Sequence, residues 1–127
     1  GSNDGISTTL FSFFAKKVIS VDMNKTKSME ELLEKNDKIY FNHMTFSDFL
    51  KKDGDTQYDL VYIDGGHDYN SVDNDIESFK GKVKKNGYIG GHDYYNYNGY
   101  GVIEAVNKHF PDKEILVFSD SSWLVKL

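Results

Sequence analysis

Tyr58-Asp59-Leu60-Val61-Tyr62-Ile63-Asp64-Gly65-Gly66-His67-Asp68 is the stretch from which the fold can be read. Its first six residues are aromatic or aliphatic around one acid, the composition of a largely buried strand. The strand ends on Asp64, and Gly65 to Asp68 form a loop. From Ser71 onward, Val72, Ile76, Phe79 and Val83 fall at offsets 0, 4, 7 and 11, a helical stripe. Asn86-Gly87 breaks the chain, and Tyr88 to Gly91 reads as the next strand. Two strands joined by a helical crossover lie parallel.

Outward from this unit the alternation continues. On the N-terminal side, Gly1-Ser2-Asn3-Asp4-Gly5 is a turn, and Ile6 to Lys17 reads as a helix with Leu10, Phe13 and Phe14 on one face. Lys17 to Val21 is a short apolar strand ending at Asp22. Ser28 and Glu31 have the spacing of a capping box, opening a helix through Leu32, Leu33 and Lys35. Ile39 to His43 alternates as a strand, and Thr45 with Asp48 is a second capping pair. On the C-terminal side, Val102, Ile103, Val106 and Phe110 mark a helix stopped by Pro111. Glu114 to Ser119 and Ser122 to Leu127 then form an antiparallel hairpin around Asp120-Ser121. The expected fold is α/β, a three-layer sandwich with a mostly parallel sheet and a C-terminal antiparallel hairpin. Residues 1–127 are expected to be one domain. Because the chain opens on a helix that no strand feeds, an N-terminally truncated fragment lacking its first strand is expected.

Composition narrows the function. Hydrophobic residues make up 39% and charged residues 28%, with no apolar run of the ~20 residues a membrane span needs. Without cysteine there is neither a disulfide framework nor a thiolate site, which suits a reducing, cytoplasmic setting. The net charge of −5 speaks against nucleic acid as partner. All 15 basic residues are Lys, so a bidentate Arg clamp on phosphate is excluded.

In open parallel sheets ligands bind outside the carboxyl ends of the strands. Those ends carry Gly1 to Gly5, Asp22, Met44 to Ser47, Asp64 to His67, and His92 to Tyr95. A glycine turn entering a helix brings backbone N–H groups against a ligand. An acid at the end of the following strand, about 20 residues on, suits the hydroxyls of a ribose. An acid in such places is also a common cap or turn residue.

This combination resembles the class I, Rossmann-like S-adenosylmethionine-dependent methyltransferases. Within them it is most similar to the metal-dependent small-molecule O-methyltransferases, the macrocin-type sugar enzymes and relatives of catechol O-methyltransferase. The matching stretches are Gly1 to Ser7, Tyr58 to His67, Lys85 to Tyr94, and Ser122-Trp123-Leu124-Val125. The resemblance implies that Gly1, Ser2 and Gly5 wrap the methionine end of S-adenosylmethionine and that Ser7 binds its carboxylate. Asp22 would hold the ribose, Met23 would lie against the adenine, and Thr45 and Phe46 would border the adenine edge. Asp64, at the border of the cofactor site, and Asp93 would hold Mg2+ or another divalent metal, and His67 would be the catalytic base. His92 stands where that family usually carries an acid, and an imidazole is the poorer Mg2+ ligand, so it is at most a peripheral one.

The chemistry of these residue types agrees with that assignment. Methyl transfer to oxygen requires the hydroxyl to lose its proton. A divalent ion on hard oxygens acidifies a hydroxyl, and an imidazole removes its proton near neutrality. The implied acceptor is a small-molecule hydroxyl, sugar-like. Tyr94-Tyr95-Asn96-Tyr97-Asn98-Gly99-Tyr100-Gly101 suits a loop over such a substrate, or alternatively a surface loop or a contact in a homo-oligomer. Two rival readings stand beside this one. One is a metal-dependent hydrolase or hydroxylase-like enzyme using Asp64, His67, His92 and Asp93. The other is a cofactor-binding module without catalysis.

Overall fold

Gly5 begins the first helix, α1 (Ile6–Phe14), from a left-handed backbone with φ 81°. Its N–H donates to the Ser2 carbonyl at 2.7 Å, closing the turn. That left-handed conformation calls for glycine, whereas the neighbours a Cβ would meet, Leu32 Cδ2 and Met29 Cε, are flexible side-chain ends. The computed structural model describes residues 2–127, which fall into two compact units, one ending at Gly54 and one spanning Asp55–Leu127.

In the first unit α1 is followed by β1 (Val18–Asp22), α2 (Lys27–Lys35), β2 (Ile39–His43) and α3 (Phe46–Asp53). β1 and β2 pair in parallel, from Val18 opposite Ile39 to Asp22 opposite His43. Val18, Met29, Ile39 and Phe49 are its buried apolar residues. The inward residues of α1 are not the apolar ones: Thr8 and Ser12 are buried, while Ile6, Leu10, Phe13 and Phe14 are exposed. Hydrogen bonds replace apolar packing there. Thr8 Oγ1 lies 3.2 Å from Ser20 Oγ, and Asn36 Nδ2 donates to Ser12 Oγ at 2.8 Å. α2 opens two residues earlier than the Ser28–Glu31 spacing indicates, because Thr26 Oγ1 accepts the Met29 N–H and caps it. Thr45 caps α3 as expected, accepting from Asp48 N and donating to Asp48 Oδ2.

The second unit runs β3 (Tyr58–Ile63), α4 (Tyr69–Lys80), β4 (Val83–Gly91), α5 (Val102–His109), β5 (Ile115–Val117) and β6 (Trp123–Lys126). Its sheet has the order β3-β4-β6-β5. β3 and β4 are parallel, whereas β6 runs antiparallel to both β4 and β5. Val83 belongs to β4 rather than to the helix, which stops at Lys80. Asn86, at φ 65°, does not end a segment but lies inside β4, where the register with β3 slips between Tyr58 and Leu60. Ile63, Val72, Ile76, Ile89, Val106 and Trp123 form the core, burial worth roughly 1.5–3 kcal/mol per large side chain. Among the described residues no helix is long and apolar enough to cross a membrane.

Candidate active site

The register of β3 and β4 sets Ile63 beside Gly91, so the residues following both strands leave the sheet side by side. That approach is close. A Cβ on Gly91 would collide with the Ile63 carbonyl oxygen and the Trp123 indole. His92 N donates to the Ile63 carbonyl at 3.2 Å, and the chain then turns sharply at Asp93, whose φ is 62°. Asp tolerates this left-handed conformation better than most residues, but a non-glycine residue there is uncommon and such strain gathers at functional sites.

The turn places the Asp93 carboxylate between two imidazoles. His67 Nε2 is 3.1 Å from Asp93 Oδ2, and His92 Nδ1 is 3.2 Å from Asp93 Oδ1. Asp64, His67 and Asp93 bring one ligand atom each within 4.8 Å of one another. Burial pushes the Asp64 carboxyl above its usual range, with Asp93 adding repulsion and His92 and His67 opposing it. Beside this group lies a small pocket walled by Ile63, Val72 and Trp123 and rimmed by Asp64, His67 and His92. Asp68 does not join the group: its carboxylate caps α4 by accepting from Ser71 N and Ser71 Oγ.

His67 is tied to the tyrosine loop, a link the spacing of residues does not reveal. Gly101 N donates to the His67 carbonyl at 2.9 Å, and the Tyr100 ring centroid is 4.8 Å from that of the imidazole. The two carboxylates, Asp64 and Asp93, are hard oxygen donors that fit a divalent cation, with the His67 imidazole beside them.

In the first unit, Gly1 lies outside the described residues, whereas Ser2 and Gly5 form the turn before α1. Ser2 Oγ is buried without a hydrogen-bond partner, an orphaned group in a loop expected to hold a ligand. Ser7 is half-buried in the first turn of α1. Asp22 Oδ2 accepts from Ser2 N at 2.6 Å and Asn3 N at 3.0 Å, and Oδ1 accepts from Asn24 N at 2.8 Å. Burial raises the Asp22 carboxyl, but these backbone donors outweigh it and the net shift is downward. The acid therefore fastens the glycine turn to the end of β1 and keeps one lone pair of Oδ1 uncommitted. Met23 is 66% exposed, leaving its apolar surface open to a ligand. The Thr45 hydroxyl is engaged in capping α3, and Phe46 begins that helix half-buried.

A family model described as a methyltransferase domain matches residues 1–94. The chain belongs to that family. It is an S-adenosylmethionine-dependent methyltransferase, and the hydrolase and non-catalytic readings give way to this one. No curated protein sequence matches the methyltransferase. Among solved structures it is similar to an apo TDP-rhamnose 3'-O-methyltransferase of calicheamicin biosynthesis, with a TM-score of 0.75 at 11% identity over 99% of this chain and 68% of that one. An rRNA methylase from Streptococcus thermophilus gives a TM-score of 0.71 at 12% identity, covering 99% and 81%. A Staphylococcus aureus protein assigned as a caffeoyl-CoA O-methyltransferase gives 0.71 at 14%, covering 99% and 72%. At such identities the likeness establishes the fold, which is α/β and Rossmann-like as expected.

Proposed function

We propose that this methyltransferase moves the methyl group of S-adenosylmethionine to a hydroxyl of a small, sugar-like molecule, which Asp64, His67 and Asp93 activate. The observation that carries this reading is the convergence of those three side chains within 4.8 Å. Asp64 and Asp93 would hold Mg2+ or another divalent ion, which when bound lowers the pKa of a hydroxyl it coordinates. His92, on the far oxygen of Asp93, is at most peripheral.

His67 is the base. The Asp93 carboxylate, 3.1 Å from His67 Nε2, orients the ring and stabilises the imidazolium that forms when His67 takes the acceptor's proton. The acceptor oxygen bonds to the methyl carbon as the carbon–sulfur bond breaks. The electron pair stays on sulfur, giving S-adenosylhomocysteine, and the proton rests on His67.

Cofactor binding falls to residues of the first unit. Gly1, Ser2 and Gly5 would surround the methionine end, the Ser2 hydroxyl gaining the partner it lacks, with Ser7 on the carboxylate. Asp22 would accept one ribose hydroxyl on Oδ1, Met23 would cover the adenine, and Thr45 and Phe46 would border it. A chain of net charge −5 without Arg favours a small acceptor over a nucleic acid.

Metal binding is tested by titrating Mn2+ and following water-proton relaxation. Wild-type protein should bind the ion, and Asp93→Asn, which keeps a residue tolerant of the left-handed turn, should weaken binding at least about tenfold. Wild-type protein that binds S-adenosylhomocysteine but not Mn2+ removes the metal from this account.

A further inference from the structure

We propose that Tyr95, Tyr97 and Tyr100 form the acceptor subsite and that the acceptor they take is an uncharged sugar ring. This rests on the reading of the Asp64–His67–Asp93 group as the place where a hydroxyl is methylated. The loop is fixed at both ends. Tyr94 N donates to the Ser121 carbonyl at 2.9 Å and Tyr94 Oη to Asn107 Oδ1 at 3.0 Å, while Gly101 N holds the His67 carbonyl at 2.9 Å. Between these anchors Tyr100 N donates to the Tyr97 carbonyl at 3.0 Å, and Gly99 has the φ of 85° that a type II turn requires at its third position.

The three rings of this turn cluster. Tyr95 and Tyr100 are 5.5 Å apart, Tyr97 and Tyr100 5.3 Å, and Tyr95 and Tyr97 6.2 Å, with interplanar angles of 50°, 77° and 53°. Tyr100 continues the cluster to His67, 4.8 Å away. Tyr95 is 40% exposed and Tyr97 60%, a large aromatic surface left to solvent beside the candidate base. Tyrosine combines an apolar face with a hydroxyl edge, which makes it a binding surface rather than a core residue.

Shape and charge together choose the ligand. Rings tilted by 50° or more present faces and phenolic edges in several directions, not the parallel-walled slot that sandwiches a flat aromatic. A sugar ring offers such a surface polarised C–H bonds for the ring faces and hydroxyls for the phenolic edges. Residues 64–79 and 86–107, which hold the tyrosines and the Asp64–His67–Asp93 group, contain no Lys, and the chain has no Arg. Of the acids in the same two segments, Asp73 and Glu77 pair with Lys108 and Lys80 just outside them, which leaves Asp64, Asp68, Asp75, Asp93 and Glu104. A phosphate-bearing acceptor would meet repulsion there and no clamp.

Saturation-transfer NMR tests the subsite without needing turnover. The probes are methyl α-L-rhamnopyranoside and methyl β-D-glucopyranoside, with catechol and TDP-rhamnose as comparisons, on wild-type protein and the Tyr95→Ala/Tyr97→Ala double variant. At least one glycoside should receive saturation on its ring protons, falling at least fivefold in the double variant, whereas S-adenosylhomocysteine binding by calorimetry stays unchanged. Tyr97→Phe, which keeps the ring, should retain most of the signal. Wild-type protein that binds S-adenosylhomocysteine but saturates neither glycoside overturns the subsite, as does equal saturation in the double variant. Stronger, tyrosine-dependent saturation of catechol or TDP-rhamnose overturns it too. Wild-type protein that binds no S-adenosylhomocysteine overturns the underlying reading of the site instead, and the glycoside signals are scored separately.

Discussion

Asp64 and Asp93 are two carboxylates whose oxygens approach within 4.8 Å, and the first of them is partly buried. Burial raises the Asp64 carboxyl, and with Asp93 it outweighs the opposing pull of His92 and His67, so holding Asp64 ionised at neutral pH weakens the metal-free fold. An acid whose folded pKa is raised favours folding below the ordinary carboxylate range and loses that contribution as pH climbs through the raised value. Asp64→Asn should therefore raise the melting temperature of metal-free protein at pH 7. The variant should lose the stabilisation that Mn2+ gives wild-type protein. Thermal melts followed by circular dichroism, with and without Mn2+, check both; a metal-free Asp64→Asn that melts lower than wild type contradicts the strained pair. That acids would gather at these strand ends was legible in the sequence, since parallel topology dictates where strands finish. How Asp93 divides its oxygens between His67 and His92 was not. The division follows from one left-handed residue, and no periodicity encodes that.

Between elements, α4 and α5 are fastened by a charged cluster distinct from the site. Lys108 Nζ donates to Asp73 Oδ1 at 2.8 Å and Oδ2 at 2.9 Å, and His109 Nε2 lies 2.7 Å from Asp73 Oδ1. His109 Nδ1 faces Glu77 Oε2 at 3.6 Å, and its side chain is only 6% exposed. The Lys108 hydrogen bond, with help from His109, holds the Asp73 carboxyl below its usual range. Stability from this lowered acid is complete above the ordinary value of about 4 and is lost as pH falls through the folded value. Melting curves from pH 7 to pH 3 should show Asp73→Asn a few degrees below wild type at neutrality, the gap closing towards pH 3. A gap that persists unchanged at pH 3 would assign the loss to packing instead.

The elements themselves were largely readable, and the misreadings have physical reasons. Val83 continues the apolar stripe of α4 because it fills the same core from a strand, and burial alone does not register which element supplies it. Ser28–Glu31 has capping-box spacing, yet Thr26 stands two residues earlier with its hydroxyl on Met29 N. For α1 the pattern gives a helix but not its inward face, since Thr8 and Ser12 are buried through hydrogen bonds that hydrophobicity does not score.

For the molecule as a whole, family membership establishes methyl transfer from S-adenosylmethionine, and the tie between the His67 backbone and the tyrosine loop gives the acceptor reading its physical basis. On the proposed reading the two tasks fall to different residues: the glycine turn and Asp22 for the nucleoside donor, and Asp64, His67, Asp93 and the tyrosines for the acceptor. They should therefore be separable by experiment. The decisive experiment follows transfer of labelled methyl from S-adenosylmethionine to a panel of neutral glycosides, with S-adenosylhomocysteine binding measured by calorimetry on the same samples. Chelation should abolish transfer while leaving binding intact, and His67→Ala should slow transfer by roughly 10²–10⁴-fold, the usual contribution of a positioned base. Undiminished transfer in the presence of chelator, together with normal turnover by His67→Ala, would contradict the account.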